Sequence, residues 1–111
     1  MMSEHTICPC THSCPLQKAM EVLGGKWKLS ILCSLSVDGA TRYNELKRKL
    51  SGISNTMLVK SLRELEEAGL VVRREYLEIP VRVEYETTEL MTELLPILQN
   101  LAAWGMKLPN D

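Results

Sequence analysis

The stretch Ser54–Val71, SNTMLVKSLRELEEAGLV, decides how this 111-residue chain is read. With each residue turning about 100° around a helix axis, Leu58, Leu62 and Leu65 fall on one apolar stripe, closed by Gly69. Thr56, Lys60 and Arg63 gather on the opposite side in the first turns, and Glu64 and Glu67 follow them in the last. Acids at a helix C-terminus oppose the macrodipole, which favours Lys or Arg there. The front half of this helix therefore suits an anionic partner that its back half would repel.

Upstream, Leu16, Ala19, Met20 and Leu23 show helical spacing behind Pro15, which suits a first helical position, and Gly24-Gly25 stops that helix. Trp27, Ile31 and Leu35 mark a second helix ending before Asp38-Gly39. Thr41 is placed to cap a third, with Tyr43, Leu46 and Leu50 inward and Lys47, Arg48 and Lys49 largely outward. Ser51-Gly52 supplies a short turn, and Ser54 caps the helix quoted above. Downstream the period changes from helical to alternating. LVVRREY and RVEYET read as two strands joined by LEIPV, with Pro80 where no ladder donor is needed. Thr88 is placed to cap a last helix, ELMTELLPILQNLAAWGMK, which Pro96 is expected to kink or split. Its apolar face, from Leu90 through Leu94, Ile97, Leu98 and Leu101 to Trp104, is broader than one-sided burial needs.

Short helices with a tight turn between the last two, followed by a two-stranded ribbon, spell a winged helix-turn-helix, mainly α with a small β hairpin. The expected division is a Cys/His-rich lead over 1–13 and one domain over 14–107. Within it the recognition helix covers about 54–68, the wing about 70–87 and a dimerisation helix about 89–106. In this motif the recognition helix enters the major groove N-terminal end first. Ser54, Asn55, Thr56, Lys60 and Arg63 would then meet DNA, with Lys28, Arg42, Tyr43, Lys47 and Lys49 beside them. Arg82 near the wing tip would reach phosphate or the minor groove.

Overall charge argues mildly the other way, at net −1 and a pI near 6.1. Its distribution does not. Arg42 to Arg63 holds six bases and one acid, whereas Glu75 to Glu93 holds six acids and one base. A near-neutral average thus conceals a basic segment. No run of apolar residues approaches the roughly 18–20 needed to span a bilayer, and MMSEHTICPCTHSCP lacks the basic-then-apolar order of a secretory signal. The expectation is a cytoplasmic protein whose cysteines stay reduced unless they bind metal or sense oxidants.

The segments CPLQKAMEVLGGKWKLSIL, GATRYNELKRKLSGISNTMLVKSLRELEEAGLV, RREYLEIPVRVEYETTEL and LAAWG together resemble the HxlR-type winged-helix transcriptional regulators. The resemblance covers about residues 14 to 107, and Leu77 and Val81 stand where that family often has Pro. It implies a homodimer, built through the first and last helices, that binds inverted-repeat double-stranded operators without catalysis or cofactor. The broad apolar face of the last helix fits, since a monomer would leave it exposed. The resemblance also implies oxidant or electrophile sensing at Cys14, the cysteine before Pro15. A helix N-terminus there would favour the thiolate.

Blander readings stand beside these. Lys47, Arg48 and Lys49 could form a solvated face, Asn55 and Thr56 could serve capping alone, and Trp27 and Trp104 fit core or dimer contacts. Cys33, among Ile31, Leu32 and Leu35, reads as a buried small hydrophobe. Cys8, Cys10 and His12 lie outside the family pattern and are candidate metal ligands, although C-x-C-x-H-x-C is not a standard structural-zinc spacing. A metal-responsive regulator using this lead is one alternative, and a small thiol redox or metal-carrier protein another. The second is opposed by the lack of a C-x-x-C beside a βαβ pattern.

Overall fold

The computed structural model describes residues 14–110. Its elements run α1 (Pro15–Leu23), α2 (Lys28–Asp38), β1 (Thr41–Arg42), α3 (Tyr43–Lys49), α4 (Asn55–Glu67), β2 (Val71–Tyr76), β3 (Arg82–Thr87) and α5 (Glu89–Gly105). The core is aliphatic and lies between α2, α3, α4 and the sheet. Ile31, Leu32 and Leu35 meet Leu46, Leu58, Leu62 and Leu65 there, with Leu70, Val71, Tyr85 and Met91 closing it.

Each boundary of α4 has a local cause. Ser54 adopts an extended backbone and its Oγ accepts the Met57 N–H at 3.1 Å, satisfying a donor the helix cannot satisfy itself. At the other end Gly69 takes φ +83°, a conformation that penalises any Cβ. The Leu70 N–H then returns to Leu65 O and the Gly69 N–H to Glu66 O, each at 3.0 Å, a Schellman closure. Val71 starts β2 immediately, so the helix passes directly into the wing.

The sheet has one strand more than the expected hairpin. Its order is β1-β3-β2, all antiparallel, with Thr41 opposite Tyr85 and Arg42 opposite Glu84. Thr41 is consequently no cap. It is buried in the ladder and its hydroxyl donates to Gly39 O at 2.8 Å, while Arg42 occupies the capping position of α3 without a side-chain bond. Thr88 also differs from expectation. It precedes α5 but makes no capping bond, because its hydroxyl donates to Gly69 O at 2.6 Å and ties the end of α4 to the start of α5. The Thr88 hydroxyl was claimed by a carbonyl 19 residues back and the Thr41 hydroxyl by one two residues back, while Thr41 itself was drawn into pairing with β3.

Pro96 does not split α5, which runs as one element through it. The helix buries only Met91, although Leu94, Leu95 and Leu98 pack partly on the core. Leu90, Ile97, Leu101 and Trp104 are exposed, the last at 56 %. In α1 no residue is buried; Leu16 and Met20 face outward, while Val22 and Leu23 rest against the core. An apolar groove of about 400 Å³ runs between the two helices, walled by Ala19, Val22 and Leu23 on one side and Leu90, Leu94 and Ile97 on the other. Cys33 is also exposed, not buried as its neighbours suggested, because Ile31, Leu32 and Leu35 take the inward face of α2.

Candidate nucleic-acid interface

The stripe Leu58, Leu62 and Leu65 is fully buried, which forces the opposite side of α4 outward. Asn55, Thr56, Val59, Lys60 and Arg63 line one shallow depression on that side. Ser54 is exposed too, but its oxygen is occupied by the cap. The acid that follows has a definite task. Glu64 accepts from Lys28 at 2.9 Å across to the start of α2, and this hydrogen bond holds the Glu64 carboxyl below the usual carboxylate range. Lys28, only 14 % exposed, is thereby withdrawn from the outer surface.

Other cations expected at DNA divide in the same way. Lys49 is bound to Asp38 at 2.7 Å and lies 3.8 Å from Glu45; the Asp38 hydrogen bond raises its ammonium above the ordinary value. Arg82 sits opposite Tyr76 in the ladder, its guanidinium 4.2 Å from the ring centroid, between Glu78 at 3.1 Å and Glu84 at 3.7 Å. Its Nε is buried without a partner. These three charges are engaged inside the protein. Arg42, Lys47, Arg48, Lys60 and Arg63, by contrast, enter no ion pair among the described residues.

Arg42 and Arg48 line a second depression with Tyr43 and the wing residues Pro80 to Val83, so α3 and the wing form one concave wall beside α4. Tyr43 links the two helices. Its ring packs on the core and its hydroxyl donates to Asn55 Oδ1 at 2.9 Å. Burial, and then Tyr85 nearby, push the phenol above its ordinary value, so it remains a donor at neutral pH. One cation escaped the sequence reading. Lys26, exposed in the loop before α2, borders a depression with Lys60, its Nζ 5.1 Å from the Trp27 ring centroid. Its position after Gly24-Gly25 was the available signal.

Cys14 caps α1, is 3 % exposed and is disulfide-bonded, its partner lying outside the described residues. Cys14 stands at the start of α1, where the thiolate was expected to be favoured, and in this structure its sulfur is in the disulfide form. The candidate metal ligands Cys8, Cys10 and His12 lie outside the described residues. Within them no group of three or more potential ligands could hold a metal ion.

The HxlR-like helix-turn-helix family matches residues 22–111. This chain belongs to that family. Members similar to this HxlR-like protein include the HTH-type transcriptional regulator YkvN of Bacillus subtilis, 48 % identical over 84 % of this chain and 78 % of YkvN. Among solved structures, the reduced transcriptional regulator YodB of B. subtilis superposes with a TM-score of 0.79 at 34 % identity, covering 95 % of this chain and 99 % of YodB. The redox regulator HypR in its oxidised form gives 0.76 at 38 % identity, over 88 % and 100 % respectively. The HxlR-like chain is a winged-helix DNA-binding transcriptional regulator, and its relatives are regulators, not enzymes. No helix among the described residues is long and apolar enough to cross a membrane.

Proposed function

We propose that the protein is a homodimer that binds an inverted-repeat operator through α4 and changes that binding with the redox state of Cys14. The observation that carries the reading is the outer face of α4, where Asn55, Thr56, Lys60 and Arg63 stand exposed on a helix whose other side is locked into the core. Lys60 and Arg63 supply base and phosphate contacts; Arg42, Lys47 and Arg48 supply phosphate contacts from α3. Lys28, Lys49 and Arg82 stay with their internal acids. The apolar faces of α1 and α5 support the dimer, because Leu16, Met20, Ile97, Leu101 and Trp104 would otherwise stand in water. Two copies joined there would present recognition helices about 34 Å apart to successive major grooves.

Redox control is supported by the Cys14 disulfide and by likeness to HypR, a redox regulator, and to YodB, whose structure is also known after diamide treatment. Forming the disulfide takes two electrons and two protons from Cys14 and a second thiol to an oxidant such as diamide or a peroxide; a dithiol returns them. Cys14 immediately precedes the α1 residues that wall the apolar groove, so this chemistry occurs at the edge of the dimer surface.

The test is selection of bound duplexes from a random pool with reduced and with diamide-treated protein. A palindromic motif recovered from one state and weakened in the other is expected. No enriched motif in either state would defeat operator recognition, and equal binding by both would defeat redox control alone.

A further inference from the structure

Tyr43 and Asn55 each occupy the first position of a helix, α3 and α4 respectively. The Tyr43 ring is anchored on the core, and from there its hydroxyl holds Asn55 Oδ1 at 2.9 Å. An asparagine amide offers an acceptor, Oδ1, and a donor, Nδ2. The paired reading of adenine uses both, taking a hydrogen bond from N6 and giving one to N7. Here Oδ1 is turned to the Tyr43 hydroxyl, which takes one of its two lone pairs and fixes the amide's orientation, and Nδ2 makes no hydrogen bond among the described residues.

We infer that Tyr43 is a positioning residue that makes Asn55 a one-sided donor, so that the operator position under it is read as a purine, through N7, and not as adenine alone. The inference rests on the docking of α4 in the major groove proposed above. Guanine and adenine both carry N7 on that edge, whereas the pyrimidines do not. A phenol is protonated at neutral pH at its ordinary value, and burial raises this one further, so the restraint persists there. Asn55 is itself exposed, so nothing in the protein covers the donor.

The full-length protein is used with the half-site recovered by duplex selection, varied one base pair at a time. Wild type is expected to accept either purine at one position, and a 7-deaza purine there should weaken binding about fivefold, the value of one neutral hydrogen bond. Asn55→Ala should bind the natural and the 7-deaza duplex alike. Tyr43→Phe frees Oδ1 and should shift the preference toward adenine over guanine by about the same factor. The double variant should behave as Asn55→Ala, because the phenol acts only through the amide. Wild-type base preference retained in Tyr43→Phe, losses that multiply in the double variant, or indifference to 7-deaza purines at every position would each overturn the inference. Should the phenol be needed for folding, Asn55→Asp keeps the Tyr43 bond, removes the donor and should abolish 7-deaza sensitivity. A wild-type protein that retards no duplex would defeat the docking proposal itself, and this inference with it.

Discussion

Arg63 and Lys49 are one-letter neighbours in any count of basic residues, yet their surroundings assign them different roles. Arg63 is exposed on the outer face of α4 and enters no ion pair among the described residues. Arg63→Ala should cost about 1–3 kcal/mol of operator binding and much less on random duplex if it reads a base through both guanidinium nitrogens; competition assays with the two duplexes check this. Lys49 already holds Asp38 at 2.7 Å. Its replacement by Ala should barely alter the salt dependence of DNA binding. Arg48→Ala, which removes a charge that has no internal partner, should flatten that dependence by about one unit on every sequence alike. Titrations over a range of salt concentrations separate the two variants, and equal slopes would contradict the division.

At the scale of the element, the C-terminal half of α4 is held by features that its propensities alone do not supply. The Lys28–Glu64 bond joins its later turns to the start of α2. Because the folded Glu64 carboxyl lies below its usual range, its contribution is present above the unfolded value near 4.3 and fades as pH falls through the folded one. Glu64→Gln should therefore melt below wild type at pH 7, with the gap closing as pH falls through the range of the folded carboxyl. Thermal unfolding at several pH values reads this directly. Gly69 ends the helix at φ +83°, and the added Cβ would meet only the Leu90 side chain at 3.8 Å. The cost of Gly69→Ala is thus backbone strain and not collision, about 1–2 kcal/mol by denaturant unfolding.

For the whole molecule, the unsettled surface is the apolar face shared by α1 and α5. A 17-residue helix that buries one side chain outright is poorly anchored unless a second surface covers it. Leu101→Glu places a charge on a side chain now 51 % exposed, so it should leave the monomer fold intact while driving the protein toward monomer. Sedimentation measures the mass, and circular dichroism the fold. Palindromic duplex should then be bound with little more affinity than a single half-site, since the second recognition helix no longer benefits from the first.

Much of this was legible in the linear chain. The stripe Leu58, Leu62 and Leu65, the Ser54 cap, the Gly69 stop and the exposed cationic front of α4 all follow from periods and turn chemistry acting within a few residues. Those interactions are local, so sequence spacing encodes them. Family membership was legible for the same reason, as motifs in order. What only the tertiary structure decided was partnership between distant segments. Thr41 became a strand residue because folding set β3 beside it, and Thr88 a tether because folding brought the Gly69 carbonyl to its hydroxyl. Lys28 and Lys49 were engaged by acids on other elements, and Arg82 by Glu78 across the wing loop and Glu84 on its own strand. Charge on a residue is a property of its side chain, but availability of that charge depends on what the fold sets beside it.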